Sequence, residues 1–73
     1  MNWIKIDTQN IEKIAYNYTF GDLYIKSRNG SINKFNRIGC ILFAQLLGSD
    51  NLENFLVKHI KSNFEYERIF IDE

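Results

Sequence analysis

The sequence predicts an α+β fold: a small antiparallel meander of three to four strands, followed by two helices packed on one sheet face. Three observations carry that expectation. Apolar and polar residues alternate through the first half, with turn residues between the alternating runs. After Ile38-Gly39 the period becomes helical. Apolar residues are 45% of the chain, enough for a packed core and too many for a disordered segment.

The elements follow in order. "NWIKID" alternates, with Trp3 and Lys5 on the side opposite Ile4 and Ile6, and reads as a short strand. "TQN" is a turn, and "IEKIAYN" alternates again, with Ile14 and Tyr16 on one side and Lys13 and Ala15 on the other. "YTFGD" supplies a loop and "LYIKS" continues the meander. The next loop closes in one of two registers. A two-residue turn at Asn29-Gly30 sets Leu23 and Ile25 on the face of Lys34 and Asn36. A three-residue loop, Arg28-Asn29-Gly30 with Gly30 left-handed, pairs Ile25 with Asn33 and Leu23 with Phe35. The second register gathers Ile14, Tyr16, Leu23, Ile25 and Phe35 on one face, and burial of that set selects it.

"CILFAQLL" reads as a helix ended by a left-handed Gly48. It is apolar nearly all round, which calls for burial on every side. The sheet and second helix supply that cover, with a dimer or partner contact as the alternative. In "SDNLENFLVKHIKSNF", Asp50 and Glu53 have capping-box spacing, and Leu52, Phe55, Leu56, His59 and Ile60 form one stripe. The tail "FEYERIFIDE" alternates and reads as extended; Ile69 and Ile71 would cover a sheet edge or pair with another chain's edge.

Size and composition bound the function. A chain of 73 residues is one domain, 1–73, near the lower limit for an independent core. Small domains commonly add disulfides, metals or a second subunit. Cys40 is the single cysteine, so no internal disulfide forms, and Cys40 with His59 falls short of the usual four zinc ligands. No metal or cofactor is therefore expected, and a homodimer is the remaining aid. Nine basic and nine acidic residues balance, which excludes a general attraction to nucleic acid or membrane. The longest apolar run, "CILFAQLLG", is too short for a bilayer, so no membrane partner and a cytoplasmic location are expected.

Nothing marks an enzyme. Cys40 lies in the most apolar helix and reads as a small buried hydrophobe. His59 ends an apolar stripe and reads as half-buried, without a spaced carboxylate to orient it. The glycines at 21, 30, 39 and 48 stand apart and form no phosphate loop.

Charge placement says more. No acid occurs from Leu23 to Ser49, a stretch that holds Lys26, Arg28, Lys34 and Arg37, whereas Glu65 to Glu73 holds four acids against Arg68. In the chosen register, the face away from the core carries Lys13, Ala15, Tyr24, Lys26, Ile32 and Lys34. Lysines beside an exposed aromatic suit phosphate contact plus base stacking, so Lys13, Tyr24, Lys26, Arg28, Lys34 and Arg37 are the candidate RNA-binding residues. The competing explanation is that exposed sheets carry lysine for solubility. A second basic cluster, Lys58, His59 and Lys61, also suits the C-terminal end of a helix dipole.

The segments "TQNIEKIAY", "LYIKSRNGSINKF", the helix after Ile38-Gly39 and "FLVKHIKSNFEYERI" together resemble the KTSC family over nearly the whole chain. That family takes its name from a C-terminal extension of some lysyl-tRNA synthetases and includes small stand-alone proteins of bacterial and phage type. The resemblance implies a small domain of a family proposed to bind RNA. The family's Tyr-any-Tyr motif falls on Asn33-Lys34-Phe35, its helix-initial proline on Gly39 and its second-helix asparagine on His59, while Ile60, Lys61, Tyr66, Glu67 and Arg68 match. Two non-catalytic functions follow as expectations: an RNA-binding module, or a protein–protein module such as a mobile-element inhibitor of a host system.

Overall fold

The computed structural model describes residues 2–69. Five strands form one antiparallel sheet in the order of the chain: β1 (Trp3–Lys5), β2 (Ile11–Asn17), β3 (Asp22–Ser27), β4 (Ile32–Phe35) and β5 (Tyr66–Ile69). Between β4 and β5 lie α1 (Cys40–Leu47) and α2 (Leu52–Phe55), the latter running on as a π-helical segment, Leu56–Lys61. The α+β class holds, and the sheet has five strands rather than three or four. The added member is the tail, whose Ile69 pairs with Ile32 and Tyr66 with Phe35 within the same chain. Ile71 lies outside the described residues.

The three-residue hairpin register is the one formed. Leu23 pairs with Phe35 and Ile25 with Asn33, and Gly30 takes φ 93°. Ile14 and Tyr16 of β2 continue those rows. The helices cover this inner face, and Ile14, Leu23, Ile25 and Phe35 close against Ile38, Phe43, Leu46, Leu56 and Ile60. The rings of Tyr16 and Phe43 stack at 4.2 Å.

One junction locks the helices to the sheet. Gly21 has φ 74°, and a Cβ there would stand 2.9 Å from the Ile38 carbonyl oxygen. That closeness lets the Ile38 N–H donate to the Gly21 carbonyl at 2.8 Å. The Tyr16 hydroxyl donates to the Ile38 carbonyl from the other side. Burial pushes the Tyr16 pKa above its ordinary value of 10.0, with Cys40, Tyr18 and Asp22 adding to the rise.

The helix ends depart from expectation in two places. Gly48 is right-handed, with φ −87° and ψ 0°, because the backbone continues its helical turn into Ser49, whose hydroxyl donates to the Leu46 carbonyl. Asn51, not Asp50, caps α2: its side-chain oxygen accepts from the Asn54 N–H at 3.1 Å. Glu53 turns away from the cap and accepts the Asn10 N–H, tying α2 to the β1–β2 turn.

α1 is not buried on every side. Phe43 and Leu46 are buried, whereas Cys40, Ile41, Ala44 and Leu47 face out, Ile41 at 74% exposure. Sheet and second helix reach only one side of it. Cys40, expected inside, sits at the exposed first position of α1. No helix among the described residues is long and apolar enough to cross a membrane.

Candidate functional site

The outer sheet face is built from alternate residues of the same strands. Its first row runs Trp3, Ala15, Tyr24, Lys34 and Glu67; its second runs Lys5, Lys13, Lys26, Ile32 and Ile69. Lys13, Tyr24, Lys26 and Lys34 therefore share one face, as the register requires. β1 adds Trp3 and Lys5 to it. With strands about 4.8 Å apart, Trp3 and Tyr24 stand roughly 10 Å from each other across Ala15. The signal for Trp3 was present in the alternation of "NWIKID"; seeing it needed the pairing of Trp3 with Ala15.

The face has its own thin cover. Ala15 is 1% exposed and Ile32 3% although the helices lie on the other side. The Lys26 and Lys34 side chains are only 20% and 27% exposed, so their stems lie along the sheet instead of standing in solvent. Lys13 sits 4.9 Å from the centre of the Trp3 ring, and Lys34 5.9 Å from that of Tyr24. The lysines also meet acids. The ladder shifts between Ile11 and Lys13, leaving Glu12 as an extra residue, and Glu12 reaches Lys26 at 3.8 Å. Asp22 reaches Lys34 at 3.7 Å. At 3.7 and 3.8 Å these are loose ion pairs, longer than charge-assisted hydrogen bonds, and a phosphate competes with the carboxylates for the same ammonium groups.

The arginines are placed differently. Arg28 borders a hollow of about 400 Å³ shared with Trp3, Lys5, Glu12 and Lys13. Its guanidinium is already engaged: Nε donates to the Thr8 carbonyl at 2.8 Å and Nη2 to the Asp7 carboxylate. Arg28 is thus a clasp between the hairpin tip and the β1–β2 turn. Arg37 follows β4 at the opposite end, with φ 62°, beside Asn36, Asn63, Phe64 and Glu65. The structure does not bring it to the lysine face.

The second basic cluster is exposed throughout. Lys58, His59 and Lys61 occupy the outside of the π-helical segment, while Leu56 and Ile60 point to the core. His59 is exposed rather than half-buried, its ring 4.6 Å from that of Phe55. The widened π turn rotates it off the buried stripe. Lys61 lies 5.7 Å from the Tyr66 ring.

A five-stranded meander with its helices inserted before the last strand is the decisive feature for comparison. The crystal structure of a KTSC domain protein from Yersinia pestis superposes on this chain with a TM-score of 0.85, covering 93% of this chain and 96% of that one. The chain has a KTSC-like fold. Sequence identity over the KTSC superposition is 17%, so the likeness concerns the fold. No protein-family model matches the sequence, and no curated protein matches it.

Proposed function

We propose that this KTSC-like domain is a non-catalytic module that binds single-stranded RNA on the outer sheet face. One observation carries the reading: half-buried Trp3 and Tyr24 flank a small residue, Ala15, on the helix-free face, where the neighbouring row is Lys5, Lys13 and Lys26. Bases stack on such aromatics while lysines meet phosphates, and neither contact needs base-specific hydrogen bonds. The hollow beside Trp3, Lys5 and Lys13 gives a nucleotide room to enter.

Trp3 is the only tryptophan, so it reports on its own site. Titration with single-stranded RNA should quench its fluorescence. If Lys5, Lys13, Lys26 and Lys34 each meet a phosphate, log affinity falls with log salt at a slope of roughly −3. Tyr24→Ala should weaken binding about 5- to 100-fold through lost stacking. Unchanged affinity in Lys26→Glu/Lys34→Glu, with circular dichroism intact, would falsify the surface assignment.

A second reading, a protein-binding module such as an inhibitor of a host system, is favoured by the exposed Ile41, Leu47 and Val57 on the helices. An apolar contact of that kind persists at high salt, where the RNA complex dissociates.

A further inference from the structure

Among the described residues, β1 and β5 are the outermost strands, each with one edge unpaired, and the backbone shows which groups each edge presents. The Ile6 N–H donates inward to the Glu12 carbonyl, so Ile4 and Ile6 point their backbone groups at β2. Trp3 and Lys5 therefore aim their N–H and C=O groups outward. At the other edge, the Ser27–Ser31 hydrogen bond turns Asn33 and Phe35 toward β3. Ile32 and Lys34 then face Ile69 and Glu67, which leaves Tyr66 and Arg68 outward.

We propose that the β1 edge pairs antiparallel with the β1 edge of a second copy of this chain, about a twofold axis through Ile4. In that register Trp3 and Lys5 of one copy exchange backbone hydrogen bonds with Lys5 and Trp3 of the other. The side chains agree with the ladder. Trp3 meets the second copy's lysine on the outer face, a cation–π pair on each side of the axis. Ile4, 42% exposed in the single chain, meets its own counterpart on the inner face.

Self-complementarity is specific to this edge. Pairing β5 with itself about Glu67 sets Glu67 against Glu67, and about Arg68 sets Arg68 against Arg68. An axis through Tyr66 sets Glu65 against Glu67. Like charges directly opposite disfavour each of these. A twofold perpendicular to the sheet keeps the faces in register, so the dimer joins two outer faces into one continuous surface. The contact shares Trp3 and Lys5 with the RNA reading, but it rests on the strand edge and is read without RNA. A three-residue edge covers less than the roughly 1,200–2,000 Å² of a stable interface, so the dimer forms at high protein concentration.

Sedimentation velocity of the nuclease-treated full chain, in a series reaching about 1 mM, tests the proposal. The expected result is a monomer–dimer equilibrium that raising salt leaves unchanged. Ile4→Lys sets like charges across the axis, and Lys5→Pro removes an N–H that points away from β2. Each should weaken association by about fivefold or more with the circular dichroism spectrum unchanged, while Glu67→Gln and Ile41→Glu leave it alone. A monomer at every concentration overturns the proposal. So does a dimer that survives both β1 variants and disappears in Ile41→Glu, which would place the contact on α1.

Discussion

Leu23 and Ile32 lie on adjacent strands but opposite faces of one sheet, at 0% and 3% exposure. Leu23 belongs to the core cluster that Phe43 and Leu46 of α1, Leu56 and Ile60 of the π-helical segment, and Ile38 complete, parts of the fold whose backbones are hydrogen-bonded in place. Among the described residues, no helix lies above Ile32. It is sheltered between Lys26 and Ile69, its partners in the ladder, with long side chains lying across the sheet. Equal burial thus has unequal causes. A cover of backbone elements moves only when the domain opens, whereas a cover of lysine stems moves whenever a ligand offers the ammonium groups a better partner.

The largest expected effect separates these two kinds of cover. Leu23→Ala leaves a hole between rigid neighbours and should cost about 3 kcal/mol, read from the shift in urea midpoint. A domain of this size has roughly 4–11 kcal/mol in all, so the variant remains folded with a sharply reduced margin. Ile32→Ala removes a similar volume beneath mobile stems that collapse into it, and should cost about 1–2 kcal/mol. Should the two variants lose the same stability, the outer layer is as rigid as the core, and the idea of a cover that a strand of RNA lifts away fails.

The contrast also explains what the sequence disclosed. The hairpin register was legible because a slip of one residue would have turned Leu23, Ile25 and Phe35 out together, an error no turn preference offsets. The lysine face followed from the same choice, since Lys26 and Lys34 alternate with those residues. Less legible were the features that depend on contacts distant in the chain. Arg28 looks like a free cation until the β1–β2 turn brings Asp7 and Thr8 to it. Lys26 looks unopposed until a bulge delivers Glu12. α1 reads as buried all round because composition records which residues are apolar, and not whether the domain has enough mass to cover them. Asn51 took the cap from Asp50 because Glu53 was drawn to Asn10 instead of closing a capping box.

The smallest expected effect sits at the rim of the inner face. Tyr16 stacks on Phe43 and donates its hydroxyl to the Ile38 carbonyl, the atom beside which Gly21 must also fit. Tyr16→Phe keeps the stack and removes one hydrogen bond, which should cost about 1 kcal/mol near neutral pH. The loss should depend on pH in a definite direction. Burial, then Cys40, Tyr18 and Asp22, hold the folded Tyr16 pKa above the ordinary 10.0, so the unfolded chain ionises first as pH rises. The stabilisation is complete below about pH 10 and is lost as pH climbs through the folded pKa. The gap between wild type and Tyr16→Phe should therefore narrow above pH 10. A gap that widened there would mean that Tyr16 ionises more readily in the folded chain, and that the Ile38 carbonyl does not hold its proton. The junction between sheet and helices would then rest on Gly21 and the ring stack alone, and the inner cover would be less firmly fixed than its burial implies.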